Sequence, residues 1–284
     1  MADILMGAPV SQEIDRVTSE KVTRLSNRGI VPLVHIIRFG DGKDDMYYEN
    51  GICKKANRLG ISVRKTIIDD VSDDVIREKI RDINLDPENH GILCFLPLPK
   101  QFSHLDSYIR SEIDTKKDID CITYRSNASL YMGQNEGFVP CTAQACIEML
   151  KFNNIPVSGK RVVVVGRSLV LGKPLSMLLL NENATVTVCH SKTVHLENLM
   201  KDADIVITAI GKLRNFGTEC FRKGQIVLDV GMNWDPINGV FSGDVDFNPV
   251  SHIVDAITPV PGGIGSITTS ILLSHVVFSS ENGN

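Results

Sequence analysis

The stretch that decides the fold is 161–193, which opens with RVVVVGRSLVLGKP (161–174) and closes with ATVTVCHSKT (184–193). Its valines, Val162–Val165, form an apolar run that is typical of a parallel strand buried on both faces. Gly166 ends this strand, and we expect a helix to begin at about Lys173. The free N–H groups and the positive end of such a helix favour an anionic pyrophosphate. The stretch therefore predicts a nucleotide-binding β-α-β unit.

The spacing of the turn leaves a second interpretation open. It departs from the standard G-x-G-x-x-G pattern, and a tight strand-to-helix connection would also account for its glycines. The residues that let the backbone turn and start a helix are Gly166, Ser168, Gly172 and Pro174. The strands on both sides of the turn favour the dinucleotide site.

Composition limits the class of protein. A chain of 284 residues, 43% hydrophobic and 23% charged, is long enough for two domains with substantial cores. A net charge of −4 gives no basic surface for nucleic acid. The first residues lack the pattern of a signal peptide, and no uncharged apolar run reaches the roughly 18 residues of a membrane span. Seven scattered cysteines without a C-x-x-C pair predict neither a metal site nor disulfides. We therefore expect a cytoplasmic protein with reduced cysteines.

The order of the segments predicts an α/β protein with two α/β domains. Strands VPLVHIIRF (31–39), ISVRKTII (61–68) and GILCFLPLP (91–99) alternate with helices in a first domain over residues 1–140. Residues 141–267 should form the second domain, with a Rossmann-type parallel sheet. The last segment, 268–284, is predicted to be a helix that returns to the first domain. A cleft between the two domains is expected to hold the site.

Seven motifs along the chain carry a family resemblance. The chain resembles the bifunctional methylenetetrahydrofolate dehydrogenase/cyclohydrolase family over nearly its whole length. The motifs, in chain order, are GILCFLPLP (91–99), KKDIDCI (116–122), VPCTAQA (139–145), GRSLVLGKP (166–174), ATVTVCHSKT (184–193), LDVGMN (228–233) and TPVPGGIGSIT (258–268). The resemblance implies tetrahydrofolate derivatives as substrates, a nicotinamide cofactor and a homodimer.

The implied reaction is hydride transfer from 5,10-methylenetetrahydrofolate to the nicotinamide, which gives the methenyl cation. Such a step needs no protein nucleophile, because the protein chiefly aligns donor and acceptor. By resemblance, Tyr48 lies against the folate, Asp120 hydrogen-bonds the pterin, and Pro261, Gly262 and Gly263 shape a loop over the site. Taken without the family, Tyr48 is a core or surface residue, Asp120 is a helix cap or surface acid, and the glycine loop is a rigid turn.

The choice of cofactor depends on Arg167 and Ser191, which stand where a 2′-phosphate on the adenosine ribose would be recognised. A guanidinium and a hydroxyl suit a phosphate, whereas a carboxylate would favour the 2′-hydroxyl of NAD. The turn CHSKT contains no acid, so we predict NADP. The alternative interpretation is that Arg167 and Lys192 are simply solvent-exposed charges and do not bind the 2′-phosphate. Ser168 and Met232 should complete the cofactor contacts, Met232 through its backbone.

The chain departs from the family where the second activity resides. Members that hydrolyse the methenyl cation carry Tyr-x-x-x-Lys on the helix after the first strand and a glutamine before LPLP. Here Ile52 stands at the lysine, Phe95 at the glutamine, and Asp45 replaces the usual serine. Tyr48 and Ile52 are four residues apart and so share a helix face. Since isoleucine cannot transfer a proton, we predict a dehydrogenase with little or no cyclohydrolase activity.

Three other interpretations remain. A fully bifunctional enzyme would need a substitute group, such as Lys55 or a water held by Asp45. A catalytically silent protein would bind folate or nucleotide only, against the intact nucleotide and PVPGG motifs. A dehydrogenase for an amino acid or hydroxy acid would need a Lys-Asp or His-Asp pair in the first domain, and the sequence offers none.

Overall fold

The computed structural model describes residues 1–69, 71–134 and 136–282, which form two compact units. One unit contains Glu13–Cys141 and the C-terminal segment from Thr269; the other contains Met1–Gln12 and Thr142–Thr268. In chain order the strands and α-helices are β1 (Asp3–Ile4), α1 (Gly7–Ser26), β2 (Leu33–Phe39), α2 (Lys43–Leu59), β3 (Ser62–Ile68), α3 (Asp73–Leu85), β4 (Gly91–Cys94), α4 (Asp106–Glu112), α5 (Tyr124–Tyr131), α6 (Cys141–Phe152), β5 (Arg161–Val165), α7 (Gly172–Asn181), β6 (Thr185–Cys189), α8 (Leu196–Asp202), β7 (Ile205–Thr208), β8 (Ile226–Asp229), β9 (Asn233–Asp235), β10 (Val240–Ser242), α9 (Phe247–Val250), β11 (Ala256–Ile257) and α10 (Thr268–Asn282).

The unit that begins at Glu13 is built on a three-stranded parallel sheet with the order β3-β2-β4. All seven residues of β2 are buried, as expected for the central strand of a parallel sheet. Ile37 is paired with Thr66 of β3 on one side and with Cys94 of β4 on the other. The carboxyl ends of the three strands therefore lie at one edge of the sheet.

Helix α3 shows how apolar spacing places this unit's core. Ile76, Ile80 and Ile83 are buried, as the helical spacing predicts, and they pack in one cluster with Ile37. Val75 lies one residue before this buried stripe and is 38% exposed.

The other unit contains a six-stranded sheet with the order β1-β11-β8-β7-β5-β6, and all its pairings are parallel. The predicted Rossmann-type sheet is confirmed, with the valine run as its strand β5. From β5 the chain adds β6 on one side and β7 and β8 on the other. In doubly wound sheets such a reversal opens a crevice at the carboxyl ends of the strands.

Residues 1–12 belong to this second unit, whereas the sequence placed them in a first domain over 1–140. The physical reason is that β1 pairs with β11, Asp3 beside Ala256 and Ile4 beside Ile257. Both strands have only two residues, too few for a periodic pattern.

The seven cysteines form no disulfides, and six of them are buried. Within the described ranges, every helix is too short or too polar to cross a bilayer.

Candidate functional site

The glycine turn after β5 is formed by close backbone contacts. Gly166 has φ 137°, and a Cβ on it would lie 2.6 Å from the carbonyl oxygen of Ala209. A Cβ on Gly172 would lie 2.1 Å from the carbonyl oxygen of Gly166. Both positions therefore require glycine, the first also for its left-handed conformation. The turn brings the end of β5 against the start of the helix that follows.

Ser168 holds this turn in shape. Its hydroxyl accepts a hydrogen bond from the N–H of Leu171 at 3.2 Å, and its carbonyl accepts one from Lys173 at 3.1 Å. The helix α7 begins at Gly172, one residue before the predicted start, and buries Pro174 in its first turn. Proline is suited to a first turn because its missing N–H would have had no partner within the helix.

Arg167 and Ser191 follow neighbouring parallel strands at equal depth. Val165 is paired with Cys189, and the N–H of Gly166 donates to the carbonyl of Cys189 at 2.9 Å. Arg167 and Ser191 each come two residues beyond this aligned pair, and both are exposed. The structure thus places the two predicted phosphate-binding residues at the same edge of the sheet.

The turn that carries Ser191 is fixed by its neighbours. The N–H of His190 donates to the Thr193 hydroxyl at 2.9 Å, and the N–H of Thr193 donates to the His190 carbonyl at 2.8 Å. Lys192 donates its N–H to Nδ1 of His190 at 3.1 Å. His190 is therefore occupied in turn formation, as expected for a residue at a strand end.

Met232 lies after β8, and its side chain is 65% exposed. The backbone before it is held by Asp229, whose carboxylate accepts from the N–H of Gly231 at 3.1 Å. Asp229 also accepts from Asp244 and Val245, at 3.1 and 2.8 Å. Burial raises the pKa of Asp229 to about 7, while these N–H groups act in the opposite direction. Sequence reasoning missed this role; an acid ending the apolar run IVLD was the available signal.

The PVPGG loop belongs to the same unit as the nucleotide turn. Pro261 is exposed and follows a cis peptide bond, and Gly263 is buried. The carbonyl of Gly262 accepts a hydrogen bond from the N–H of Gly7 at 2.8 Å. The loop is therefore attached to the first residue of α1.

In the other unit, Tyr48 and Phe95 are in contact. Tyr48 lies on α2, which follows β2, and Phe95 comes directly after β4. Their rings meet edge to face, with centroids 5.9 Å apart and planes at 61°. Tyr48 is 38% exposed and Phe95 is half-buried, so both rings remain partly accessible within this unit. The aromatic residue that replaces the family glutamine thus packs on the tyrosine.

Ile52 is fully buried. On the same helix, Glu49 is buried between Arg38 of β2, at 2.9 Å, and Lys65 of β3, at 2.6 Å. Burial favours the neutral form of Glu49, but hydrogen bonds from Lys65 and Arg38 outweigh it and lower the pKa of the carboxyl. This ion-paired network anchors α2 on the sheet and was not expected from the sequence.

Lys55 has its amine in defined contacts. Its Nζ lies 3.2 Å from the carboxylate of Asp15 and donates to the hydroxyl of Ser270. Burial lowers the pKa of Lys55, and Asp15 acts in the opposite direction. These contacts direct the amine toward α1 and α10. Asp45, the other residue considered as a substitute, is half-buried and lines a cavity of about 350 Å³ with Asp41 and Asp69.

Asp120 lies next to the start of α6. Its carboxylate accepts from the N–H of Cys141 at 3.1 Å, and burial raises the pKa of Asp120 although this N–H opposes the shift. Nδ1 of the buried His275 donates to the carbonyl of Ile119 at 2.8 Å, and the ring stacks on Phe138 at 4.5 Å. Burial also lowers the pKa of His275 to about 4. Asp120 is therefore both a cap on the Cys141 N–H and a half-buried acid whose pKa is raised.

The first acid of KKDID has a different place. Asp118 is fully buried and accepts from the N–H groups of Ile122 and Thr123, at 2.8 and 2.9 Å. Cys121, between these residues, has φ 56°, a left-handed conformation that is uncommon outside glycine. Asp118 therefore shapes the turn that follows Asp120.

Family models match both parts of the chain. Residues 5–120 match the catalytic domain of tetrahydrofolate dehydrogenase/cyclohydrolase, and residues 140–283 match its NAD(P)-binding domain. The bifunctional protein FolD of Carboxydothermus hydrogenoformans is 44% identical over 283 residues, which cover 99% of this chain and 98% of the relative. FolD of Clostridium botulinum strain Langeland is 42% identical over 288 residues, with both chains fully covered.

Two solved structures share the whole fold. The bifunctional enzyme FolD of Campylobacter jejuni has a TM-score of 0.95 and 34% identity, and the match covers 99% of both chains. The methylenetetrahydrofolate dehydrogenase-cyclohydrolase of Trypanosoma brucei, complexed with NADP cofactor and an inhibitor, has a TM-score of 0.91 and 32% identity. That match covers 99% of this chain and 98% of the Trypanosoma chain.

Proposed function

The chain belongs to the tetrahydrofolate dehydrogenase/cyclohydrolase family, and we propose that it oxidises 5,10-methylenetetrahydrofolate to the 5,10-methenyl cation with NADP. When bound, NADP accepts the hydride that leaves the methylene carbon, and the folate thereby gains one positive charge. No proton is transferred in this step. The protein's task is therefore to bind and orient the two molecules and to exclude water. The observation that carries this proposal is a glycine turn built for a dinucleotide, in a chain that matches both family domains.

The residues present fit NADP. Gly166 and Gly172 let the backbone approach a pyrophosphate closely at the start of the ten-residue helix α7. Arg167 and Ser191 lie at equal depth on neighbouring strands, where a guanidinium and a hydroxyl would bind the 2′-phosphate. We assign Ser168 to the shape of the turn and Met232 to a backbone contact with the cofactor.

At the folate end we propose roles for two polar side chains. Tyr48 would lie against the folate with Phe95 beside it, and Asp120 would hydrogen-bond the pterin ring. Because burial favours a protonated Asp120, a hydrogen-bonding partner in the pterin compensates for the loss of water around the carboxyl. Pro261, Gly262 and Gly263 would form the loop over the site.

We further propose that the cyclohydrolase activity is absent or weak. Attack of water on the methenyl cation requires a group that removes and returns protons. Ile52 supplies none and is fully buried, so this position is closed rather than hydrated. Lys55 is engaged with Asp15 and Ser270, which argues against it as a substitute base.

Two spectrophotometric assays on one preparation test the proposal. The first follows NADPH formation from NADP and methylenetetrahydrofolate; the second follows methenyl hydrolysis without cofactor. We expect activity in the first and a rate near the uncatalysed one in the second. Catalysed hydrolysis would show a bifunctional enzyme, and inactivity in both assays would show a silent binding protein.

We also propose that the protein is a cytoplasmic homodimer, as the resemblance implies. Sedimentation equilibrium on the purified protein, with a monomer mass of 31.3 kDa, tests the oligomeric state.

A further inference from the structure

Two buried aspartates connect the loops at the carboxyl edge of the six-stranded sheet. Asp229 ends β8 and is 3% exposed; Asp244 follows β10 and is fully buried. Among the described residues, neither carboxylate lies within ion-pair distance of a basic side chain. Burying two such groups is costly unless donors satisfy them.

The donors are supplied almost entirely by the backbone. Asp229 accepts from three N–H groups, those of Gly231, Asp244 and Val245, and from the hydroxyl of Thr208 at 3.2 Å. Asp244 in turn accepts from the N–H groups of Ile210 at 2.6 Å and Lys212 at 2.8 Å, and from the side-chain amide of Asn233 at 3.1 Å. Two carboxylates thus bind five backbone amides from three separate segments.

Two glycines show how tightly the carboxylates pack. A Cβ on Gly231 would lie 2.2 Å from Cγ of Asp244, and a Cβ on Gly243 would lie 1.9 Å from Oδ2 of Asp229. Each carboxylate therefore lies directly against the backbone beside the other one. The contacts fix the loop after β7, the loop after β8 and the segment after β10 relative to one another.

One of these loops borders the nucleotide turn. Gly166 packs against Ala209, the residue before Ile210, so the loop that Asp244 holds is adjacent to the turn after β5. Ser191 lies on the opposite side of this turn, because it follows β6. A dinucleotide that crosses this reversal of strand order has its adenosine end at β6 and its other end at β7 and β8.

We infer that Asp229 and Asp244 are positioning residues for the nicotinamide half of the cofactor, because they fix the loops that carry Lys212 and Met232. This inference rests on the proposed function. It predicts that loosening the pair weakens contacts with the nicotinamide half and leaves those with the adenosine half unchanged.

The test compares NADP with adenosine 2′,5′-bisphosphate, which reproduces only the adenosine half. Both affinities are measured by calorimetry for the parent and for Asp244→Asn, in which an amide replaces one carboxylate oxygen. We expect the Kd for NADP to rise about tenfold or more and the Kd for the bisphosphate to stay nearly unchanged. A general loss of stability would weaken the binding of both ligands. The ratio of the two Kd values therefore separates a positioning role from a merely structural one.

Asp204→Asn is the matched control. Its carboxylate also binds a backbone amide, that of Arg161 at 2.9 Å, but at the amino edge of the same sheet. It should change neither affinity. If Asp244→Asn does not fold, Gly231→Ala serves instead, because it keeps both carboxylates and places a methyl against Asp244.

The inference is overturned if the folded variant binds NADP as tightly as the parent, or loses both ligands equally. A parent protein that does not bind NADP at all would instead refute the proposed cofactor.

Discussion

Tyr48 and Phe95 meet edge to face across the carboxyl edge of the three-stranded sheet, with ring centroids 5.9 Å apart. One ring comes from helix α2 and the other from the residue after β4. An amide at position 95 would offer a donor and an acceptor, whereas the phenyl ring offers neither. The contact therefore makes this edge less polar. It also identifies position 95 as one to change in a test of cyclohydrolase activity.

Restoring the family pair should create or raise cyclohydrolase activity. We expect Ile52→Lys with Phe95→Gln to hydrolyse the methenyl cation faster than the parent, by up to the about 10²–10⁴-fold that a positioned acid-base group contributes. Ile52→Lys alone should lose stability, since its ammonium replaces a fully buried aliphatic group. The measurement is the decay of methenyl absorbance, with Lys55→Ala as the companion variant.

Two results would contradict this account. If the parent hydrolyses well and Lys55→Ala does not, Lys55 is the substitute base. If the parent and Lys55→Ala both hydrolyse the methenyl cation well, two hypotheses are wrong. The cyclohydrolase activity has not been lost, and Lys55 is not its substitute base.

Replacing Arg167 by alanine should weaken the binding of NADP more than the binding of NAD. The guanidinium would form a charge-assisted contact with the 2′-phosphate, worth about 1–3 kcal/mol. Kd values for both cofactors measure the difference. Arg161→Ala is the control, because Arg161 is an exposed arginine at the other end of the same strand. Equal losses for NADP and NAD in Arg167→Ala would remove Arg167 from the 2′-phosphate site.

Asp120→Ala should impair the use of folate and leave the affinity for NADP nearly unchanged. The substitution removes the proposed pterin contact and also leaves the Cys141 N–H without its carboxylate. Asp120→Asn is the informative companion, because it keeps an oxygen acceptor for that N–H. Folate kinetics that are normal in Asp120→Asn and impaired only in Asp120→Ala would reduce Asp120 to a capping role.

His275 should make the protein more sensitive to acid. Its pKa is about 4 in the folded protein and about 6.5 in an unfolded chain, so the unfolded state binds the extra proton in this interval. Its contribution is complete above pH 6.5 and is lost as pH falls toward 4, by up to about 3 kcal/mol. Urea unfolding at pH 7, 5.5 and 4.5 measures this slope.

His275→Asn should be less stable at pH 7, because it loses the stacking on Phe138, but its stability should fall less steeply with acid. The exposed His252 provides the control, and His252→Asn should keep the parent slope. An unchanged slope in His275→Asn would show that His275 is protonated without cost in the folded protein.

The parts of the fold that depend on local pattern could be predicted from the sequence. Val162–Val165 indicated a buried parallel strand because no polar residue interrupts them, and Ile76, Ile80 and Ile83 marked the buried face of α3. The turn between Gly166 and Gly172 was predictable because glycine has few substitutes where backbones touch.

What could not be predicted depends on partners distant in sequence. β1 and β11 are two residues long and are defined only by their pairing. In the sequence, nothing distinguishes Asp229 and Asp244 from other acids near loops. Their role depends on five backbone amides that donate hydrogen bonds to them in the folded protein. Glu49 is similar, because its partners Arg38 and Lys65 come from two different strands.

The pairing of β1 with β11 has a consequence for synthesis on the ribosome. Strand β1 is made before the segment Glu13–Cys141, and its partner residues Ala256 and Ile257 are translated after that segment. That segment can begin to fold before β1 has a partner strand. The nucleotide-binding sheet is therefore completed only when a strand made before the other unit pairs with a strand made after it, and we expect a bulky fusion next to Asp3 to slow this pairing.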